Sequence, residues 1–363
     1  MSSLNATSIF GRGIAAITAV VALALLAMSA LPASADPPPA AAGTTSHGFL
    51  AKGGVLTAID HPDATTIPAT QDGQAGTTTT GTNDRREILG AYEDRDRVVR
   101  HFVRDREGRF TEIEDPPGGS DLDEYIDINN RGEIVGFYND AEGSTTSGFL
   151  RSRRGRFTSI EVPGSQLTGP LKVNDRRQVV GVYVNADPKP NPDGTTPPGV
   201  LHGFLWDDGD FKSIDVPGAS ATAVLGINNR GQMVGSYIDA DGAYHGFLRN
   251  RRGAVTTLPE APGADPAMGG TQPTSINDHG QIVGLAYDAR GGSRGFLLER
   301  GVLTPIDGTR DAVFTRPLDI NNRGRIVGDY GTRTQVGARS SRTRPSGGGS
   351  NEERPSFGEA LGL

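Results

Sequence analysis

One repeated segment decides the fold, and its clearest copy reads Ile128-Asn129-Asn130-Arg131-Gly132-Glu133-Ile134-Val135-Gly136-Phe137-Tyr138. Because Asn and Gly tolerate positive φ, the stretch from Asn129 to Gly132 predicts a tight turn. The consecutive apolar residues that follow predict a β-strand covered on both faces. Further copies of this segment centre on Asn83, Asn174, Asn228, Asn277 and Asn321.

A second repeated segment alternates with the first. Its clearest copy begins with Ser147-Gly148-Phe149-Leu150, passes through a charged turn that ends at Gly155, and continues as a strand to Pro163-Gly164. Its other copies contain Phe49, Phe102, Phe204, Phe247 and Phe296. Together the two segments predict four strands, A to D: A precedes the Asn turn, B contains Ile-Val-Gly, C contains Gly-Phe-Leu, and D follows. The repeat length of about 47 residues is typical of one propeller blade.

The composition and the ends of the repeat region complete the prediction of the fold. The chain has 51 Gly and 24 Pro in 363 residues, which argues against long helices. The repeats begin with a second segment at His47 and end with a first segment at Tyr330. We therefore predict an all-β fold over 47–330, a six-bladed β-propeller of four-stranded blades closed by pairing of the N- and C-terminal half-blades. An open β-solenoid is the alternative.

The combined motif resembles a bacterial extracellular repeat family named HAF after its His-Ala-Phe core. Here Gly replaces the Ala of that core at Gly48, Gly148, Gly203, Gly246 and Gly295, and the His is retained at His47, His101, His202 and His245. The resemblance covers 47–330. It implies a secreted repeat protein, and the family carries no established catalytic activity.

The N-terminal segment before the repeats predicts export. Residues 1–35 contain one charge, Arg12, then an apolar run over 14–31 and the cleavage pattern Ala33-Ser34-Ala35, so we expect a secretory signal peptide. An uncleaved anchor is the alternative, because the run reaches the lower limit for spanning a bilayer. We expect a linker over 36–46, a disordered tail over 331–363 that has few apolar groups to bury, and an extracellular monomer without membrane contact after cleavage.

Charge and residue types exclude several classes of function. The net charge of −7 argues against a nucleic-acid binder, and the absence of Cys excludes disulfides, thiolate metal sites and a cysteine nucleophile. Because strand direction alternates, the A–B and C–D turns share one face, which we call the arginine-rich face. The B–C turns and the D-to-A links share the opposite, acidic face, which also carries the longest connections, over 61–80, 185–201 and 259–274.

We expect a non-catalytic binding or scaffold module that contacts an extracellular protein, a cationic ligand or an envelope polymer through the acidic face. Asp121, Asp123 and Glu124 form the densest acidic cluster there and are the binding candidates. Three alternatives remain: a merely solvated surface, an arginine-rich face that holds anionic envelope polymers, and a secreted hydrolase or lyase with or without a metal ion. No catalytic residue is predicted, because the chain has no nucleophile-elbow motif.

Two acidic turns are calcium candidates, the one cofactor we consider. Asp140 with Glu142, and Asp239 with Asp241, place oxygen ligands at alternate positions, although ordinary hairpin turns explain both pairs. His47, His101, His202 and His245 are expected on strand C, on the same face as the Phe two residues later, as half-buried structural residues; a metal ring is the alternative. The six repeated Asn residues are expected to fix the A–B turns.

Overall fold

The structure is a computed structural model that describes residues 44–65, 75–116, 124–139, 146–185 and 200–333. The predicted signal peptide, most of the predicted linker and tail, and the candidates Asp121, Asp123, Asp140 and Glu142 lie outside these ranges. The described residues form 24 strands and a short 3₁₀ helix at Pro266–Met268. None of the helical structure in these ranges has the length and apolar character needed to cross a bilayer.

The strands are β1 (Thr44–Lys52), β2 (Val55–Ile59), β3 (Ala75–Thr82), β4 (Ile88–Glu93), β5 (Val99–Arg104), β6 (Phe110–Glu112), β7 (Glu124–Ile128), β8 (Ile134–Asn139), β9 (Thr146–Arg151), β10 (Phe157–Ile160), β11 (Ser165–Val173), β12 (Val179–Asn185), β13 (Leu201–Asp207), β14 (Asp210–Ile214), β15 (Ala221–Ile227), β16 (Met233–Ile238), β17 (Tyr244–Arg249), β18 (Val255–Thr257), β19 (Thr271–Ile276), β20 (Ile282–Tyr287), β21 (Ser293–Glu299), β22 (Val302–Ile306), β23 (Ala312–Ile320) and β24 (Ile326–Arg333). They pair in antiparallel groups of four, as the repeat predicts. We number these groups unit 1 (β3–β6), unit 2 (β7–β10), unit 3 (β11–β14), unit 4 (β15–β18), unit 5 (β19–β22) and unit 6 (β23, β24, β1, β2).

The all-β class and the four-stranded sheets, the size of propeller blades, agree with the prediction. Short parallel bridges at Thr45–Ala75 and Leu167–Thr146 also join neighbouring units in two places. The first and second strands are largely buried, whereas the fourth strands are short and half-exposed. This gradient explains why strand D alternates polar with apolar residues whereas strand B is apolar at consecutive positions.

Unit 6 combines the two ends of the repeat region. Strand β1 pairs antiparallel with β24, with His47 opposite Tyr330 and Thr44 opposite Arg333. The strands therefore extend three residues beyond each predicted limit of 47 and 330. They do so because Thr44, Thr45 and Ser46 find backbone partners in 331–333.

A β-bulge in the first strand of every unit explains the Gly of the second strand. The register of each A–B pair shifts by one residue near the middle, for example between Val224 and Gly226 in unit 4. The shift brings a first-strand carbonyl directly against Gly235, where a Cβ atom would overlap the carbonyl oxygen of Ala223. The same overlap exists at the equivalent glycines, which are Gly90, Gly136, Gly181, Gly284 and Gly328.

The core lies within and between neighbouring units. The third-strand Phe residues are buried and stand opposite these glycines, for example Phe247 opposite Gly235. The residue before each Phe contacts the first strand of the following unit. A Cβ atom at Gly203, for instance, would lie 2.5 Å from the Val224 side chain. Gly at this position therefore allows neighbouring sheets to approach closely.

Candidate functional site

The six repeated Asn residues fix the A–B turns, as predicted, and also link the units. In unit 4, Asn228 Oδ1 accepts hydrogen bonds from the backbone N–H groups of Arg230 and Gln232, both at 3.0 Å. Asn228 Nδ2 donates to Gln232 Oε1 at 2.9 Å and to the carbonyl oxygen of Asn277, in unit 5, at 3.0 Å. The link between units was not predicted, because spacing within one repeat carries no information about its neighbour.

The same Nδ2 bond to the next Asn carbonyl recurs in each unit and returns to its start. The bonds run from Asn83 to Asn129, Asn129 to Asn174, Asn174 to Asn228, Asn228 to Asn277, Asn277 to Asn321 and Asn321 to Asn83, all between 2.9 and 3.1 Å. All six side chains are buried. Buried amides must be hydrogen-bonded to avoid a desolvation penalty, so this chain of bonds contributes to stability.

Asn228→Ala is expected to lower the free energy of unfolding by about 2–3 kcal/mol, because it leaves buried N–H and C=O groups without partners. Asn250→Ala is the matched control. Asn250 caps an exposed C–D turn by accepting from the backbone N–H groups of Arg252 and Ala254, and its side chain makes no hydrogen bond to another unit among the described residues. Urea unfolding should show a loss of about 1 kcal/mol or less for the control. Equal losses would contradict the role of Asn228 between units.

The residues that follow these asparagines form a second layer in which Asp and Asn alternate. It comprises Asp84, Asn130, Asp175, Asn229, Asp278 and Asn322. Each amide bridges two carboxylates; Asn229 Nδ2, for example, donates to Asp175 Oδ2 at 2.9 Å and to Asp278 Oδ2 at 3.0 Å. We call this layer the Asp/Asn collar. Its three negative charges are held by hydrogen bonds within the layer.

A buried charged cluster lies behind the two layers, and the sequence analysis missed it. Lys172 Nζ donates to Asp319 Oδ1 at 2.8 Å and to Asp127 Oδ1 at 3.2 Å. Ser275 Oγ donates to Asp319 Oδ1 at 2.6 Å, and the backbone N–H of Thr82 donates to Asp319 Oδ2 at 2.7 Å. We call Asp127, Lys172, Ser275 and Asp319 the axial cluster. They occupy equivalent positions, two residues before the repeated Asn, where Gly81 and Gly226 stand in the other units.

Burial and mutual attraction set the protonation of the axial cluster. Burial raises the pKa of the Asp127 carboxyl, and the charge of Lys172 opposes that rise. Burial lowers the pKa of Lys172, but Asp127 and Asp319 outweigh it, so the net shift is upward and the ammonium stays charged. The cavity in front of the cluster measures about 70 Å³ and is lined by both Asn layers. That volume holds a few water molecules.

A larger cavity of about 870 Å³ lies on the arginine-rich face. A–B turns from units 1 and 6 and C–D turns from units 1 and 2 line it together, which agrees with the prediction that these turns share a face. Its lining residues are Asp84, Arg85, Arg86, Glu87, Asp105, Arg106, Glu107, Arg109, Arg153 and Arg323. The structure thus places a cavity of this size among arginines, on the face opposite the acidic one.

Of the candidate residues predicted on the acidic face, the structure describes Glu124, Asp239 and Asp241. Glu124 is buried in β7, so its carboxylate does not add to the exposed surface of this face. Asp239 Oδ1 accepts from the backbone N–H groups of Asp241 and Ala243, and Oδ2 contacts His245 Nε2 at 2.8 Å. Asp241 is exposed. Within the described ranges no group of three or more His, Asp or Glu side chains has an arrangement that could hold a metal ion.

Three of the four repeated His residues have the predicted half-buried structural environment. His47 Nδ1 contacts Asp60 at 3.0 Å and His202 Nδ1 contacts Asp215 at 2.9 Å. Both rings stack on a cross-strand Tyr, and His245, which contacts Asp239, lies beside Tyr237. The hydrogen bond to Asp60 outweighs burial and raises the pKa of His47.

His101 does not fit the prediction. It directly precedes Phe102, which is paired with Gly90, so His101 occupies the position that is Gly48 or Gly203 elsewhere. Its ring is buried, lies 4.7 Å from the Tyr125 ring, and its Nε2 has no hydrogen-bond partner among the described residues. Burial lowers the pKa of His101 to about 4. The prediction grouped His101 with the other three by residue type, although it lies one residue before its Phe and they lie two residues before theirs.

Acidification is therefore expected to destabilise the protein through His101. The pKa of His101 is lower in the folded chain than in the unfolded chain. The free energy of unfolding is therefore at its full value above pH 6.5, where the ring is neutral in both states, and falls as the pH drops towards 4. The loss attributable to this residue is about 3 kcal/mol at pH 4. Urea unfolding of wild type and His101→Phe at pH 7 and pH 4 isolates it, because the variant keeps a ring without a titratable nitrogen. An identical pH dependence of the two proteins would contradict this assignment.

No protein-family model and no curated protein matches the chain. Among solved structures, it is similar to the β-propeller domain of the Trilobed protease from Pyrococcus furiosus, described as having an open velcro topology, at 10% identity over 74% of this chain and 76% of that one, with a TM-score of 0.44. A gluconolactonase from Xanthomonas campestris matches at 10% identity over 70% and 86%, TM-score 0.42. The Aleuria aurantia lectin matches at 11% identity over 67% and 83%, TM-score 0.40.

Proposed function

We propose that the chain is a secreted, closed six-bladed propeller of the HAF-like repeat type that serves as a non-catalytic binding or scaffold module. Two features support closure: the pairing of β1 with β24, and the chain of Asn bonds in which Asn321 donates to the carbonyl of Asn83. The signal-peptide pattern over 1–35 supports secretion. Closure would satisfy the backbone edges that an open array of sheets exposes.

The observation that favours binding over catalysis is that the side chains of the axial cluster are buried and paired with one another. Its side chains are buried, and Lys172 is held by Asp127 and Asp319, which are themselves held by further donors. A catalytic acid, base or nucleophile must come within hydrogen-bond distance of a substrate, and a small-molecule site normally measures several hundred Å³. The cavity of about 70 Å³ that these four side chains line is much smaller than such a site.

We place the main contact surface on the acidic face. Loops on a rigid scaffold are where binding residues usually lie, and the longest connections of the repeat region are on this face. Asp241 is exposed, and the sequence leads us to expect Asp121 and Asp123 on the same face, where their negative charge would steer a cationic segment of an extracellular partner. Calcium at Asp140 and Glu142, or at Asp239 and Asp241, stays a proposal of the same kind.

A cationic peptide tests this surface. Fluorescence anisotropy would measure the affinity of a labelled oligolysine peptide for wild type, for Asp121→Asn/Asp123→Asn, and for Asp208→Asn/Asp210→Asn on the opposite face. The first pair should weaken binding at least fivefold at low salt, and the control pair less than twofold. Equal effects, or no binding by wild type, would overturn the assignment of this face.

A hydrolase is the second candidate, because Ser275 Oγ donates to Asp319 at 2.6 Å beside Lys172. This arrangement contains a hydroxyl, a carboxylate and an ammonium group within one cluster. Treatment with a fluorophosphonate, followed by peptide mass analysis, distinguishes the two functions. The binding module predicts no labelling of Ser275, whereas labelling that disappears in Ser275→Ala would favour the hydrolase.

A further inference from the structure

The cavity of about 870 Å³ on the arginine-rich face contains more positive than negative charge. Six of its ten lining residues are Arg and four are acidic. Every one of the four carboxylates already has a partner. Asp105 pairs with Arg109 at 2.7 Å, Glu87 pairs with Arg153 at 2.9 Å, and Glu107 pairs with Arg106. The fourth, Asp84, belongs to the Asp/Asn collar.

Three arginines of the cavity are left without a carboxylate partner among the described residues. They are Arg85, Arg86 and Arg323, and the guanidinium of Arg85 contacts only the carbonyl oxygen of Asn130, at 3.4 Å. Arg325 is not part of the cavity lining but lies close to Arg86 and Arg323, and its Nε is buried without a hydrogen bond among the described residues. Burial, followed by the charges of Arg86 and Arg323, lowers the pKa of Arg325. Arg86, Arg323 and Arg325 thus gather between unit 6 and unit 1, whereas the guanidinium of Arg85 is directed towards unit 2.

Comparison with the other units shows that this gathering is a departure from the repeat. The equivalents of Arg325, four residues after the repeated Asn, are the acceptors Glu87, Glu133, Gln178, Gln232 and Gln281. At the junction of units 2 and 3, Glu133 Oε1 lies 3.1 Å from Arg177 Nε. Arg86 is the equivalent of Arg177, so at the junction of units 6 and 1 two cations replace an ion pair.

The backbone at Arg86 is also unfavourable for an arginine. Its φ is +69°, a region that costs a non-glycine residue about 1 kcal/mol or more. Four of the six copies place Gly at this position, namely Gly132, Gly231, Gly280 and Gly324. Arg177 shares this backbone conformation, with a φ of +64°, but is paired with Glu133, so the like-charge contact is what distinguishes the junction of units 6 and 1. Like-charge contact opposes folding, and such a feature persists where a ligand offsets it.

We propose that Arg86, Arg323 and Arg325 bind a doubly charged oxyanion such as phosphate, either free or as one group of a larger ligand. Guanidinium groups donate two parallel hydrogen bonds to such an anion, and the anion would give the buried Nε of Arg325 an acceptor. The site lies on the face opposite the acidic surface. It is therefore independent of the binding role proposed there.

Calorimetric titration of the full chain with sodium phosphate, at constant ionic strength against chloride, tests the site. Wild type should bind with a dissociation constant below about 1 mM. Arg325→Gln and Arg86→Gly, which restore residues found in other units, should each weaken binding at least tenfold. Arg177→Gly changes the equivalent turn at the junction of units 2 and 3 and should alter the affinity less than twofold. No binding by wild type beyond that in chloride, or equal loss in Arg86→Gly and Arg177→Gly, would overturn the proposal.

A second arm identifies the form of the ligand. Glycerol 1-phosphate is titrated under the same conditions as inorganic phosphate. Tighter binding of the ester supports a phosphate group carried by a larger ligand, and tighter binding of the inorganic ion supports the free anion.

Thermal melting gives an independent measurement on the same variants. Without phosphate, Arg325→Gln should melt above wild type, because it removes the like-charge contact and gives Asn321 Nδ2 the acceptor present in the other units. Phosphate should then raise the melting temperature of wild type but not that of the variant. An equal rise in both proteins, or a variant that melts below wild type without phosphate, would overturn the proposal.

Discussion

Lys172→Met is expected to lower the free energy of unfolding at pH 7 by about 3–5 kcal/mol, because it leaves two buried carboxylates without their counter-charge. The loss should shrink as the pH falls to 5. Without the ammonium, burial would hold the pKa of Asp127 still further above its unfolded value, and an acid with a raised folded pKa regains stability as it is protonated. Urea unfolding at both pH values measures the effect.

Lys212→Met is the control for the axial cluster. Lys212 is exposed on β14, so the same change of side chain should alter stability by less than about 0.5 kcal/mol at either pH. A loss for Lys172→Met as small as that of the control would contradict the role of Lys172 as the counter-charge of Asp127 and Asp319.

Gly235→Ala should cost more than about 4 kcal/mol and can prevent folding altogether. The new Cβ would overlap the carbonyl oxygen of Ala223, which cannot move without opening the bulged A–B pair, and would lie 2.9 Å from the buried Phe247 ring. Gly169→Ala is the matched control on a first strand. A Cβ atom there meets Val182 at an ordinary 3.5 Å, so the expected loss is below about 1 kcal/mol. Thermal unfolding and expression as soluble protein measure both variants.

Equal tolerance of the two substitutions would contradict the account of the Ile-Val-Gly motif. In that account, the glycine is required by the approach of a backbone carbonyl and not by flexibility.

Residue patterns within one repeat predicted the all-β class, the four strands per unit and the Asn turns, since these depend on short-range turn chemistry and apolar periodicity. The axial cluster could not be predicted in this way. Its members lie 45 and 147 residues apart along the chain, and a β-bulge in each first strand decides which residue faces its neighbours. His101 was misplaced because residue identity took precedence over its distance from Phe102.

Residues common to all units and residues that depart from the repeat carry different information. Residues common to all units, such as the repeated Asn, build the fold and say little about function. Residues that depart from the repeat mark the axial cluster and the junction between units 6 and 1. Arg86 and Arg325 could have been found from the sequence by aligning the six copies and asking where Gly and Gln are replaced.

Closure of the ring is tested most directly by a disulfide between β1 and β24. Thr45 and Thr332 are cross-strand partners, and the chain contains no cysteine, so Thr45→Cys/Thr332→Cys introduces one possible bond within the molecule. Thr45→Cys/Thr257→Cys, with the second position on β18, is the control. Mass analysis and non-reducing electrophoresis after mild oxidation should show a complete intramolecular disulfide in the first pair and none in the second. Free thiols or disulfide-linked dimers in the first pair would contradict the closed six-bladed propeller.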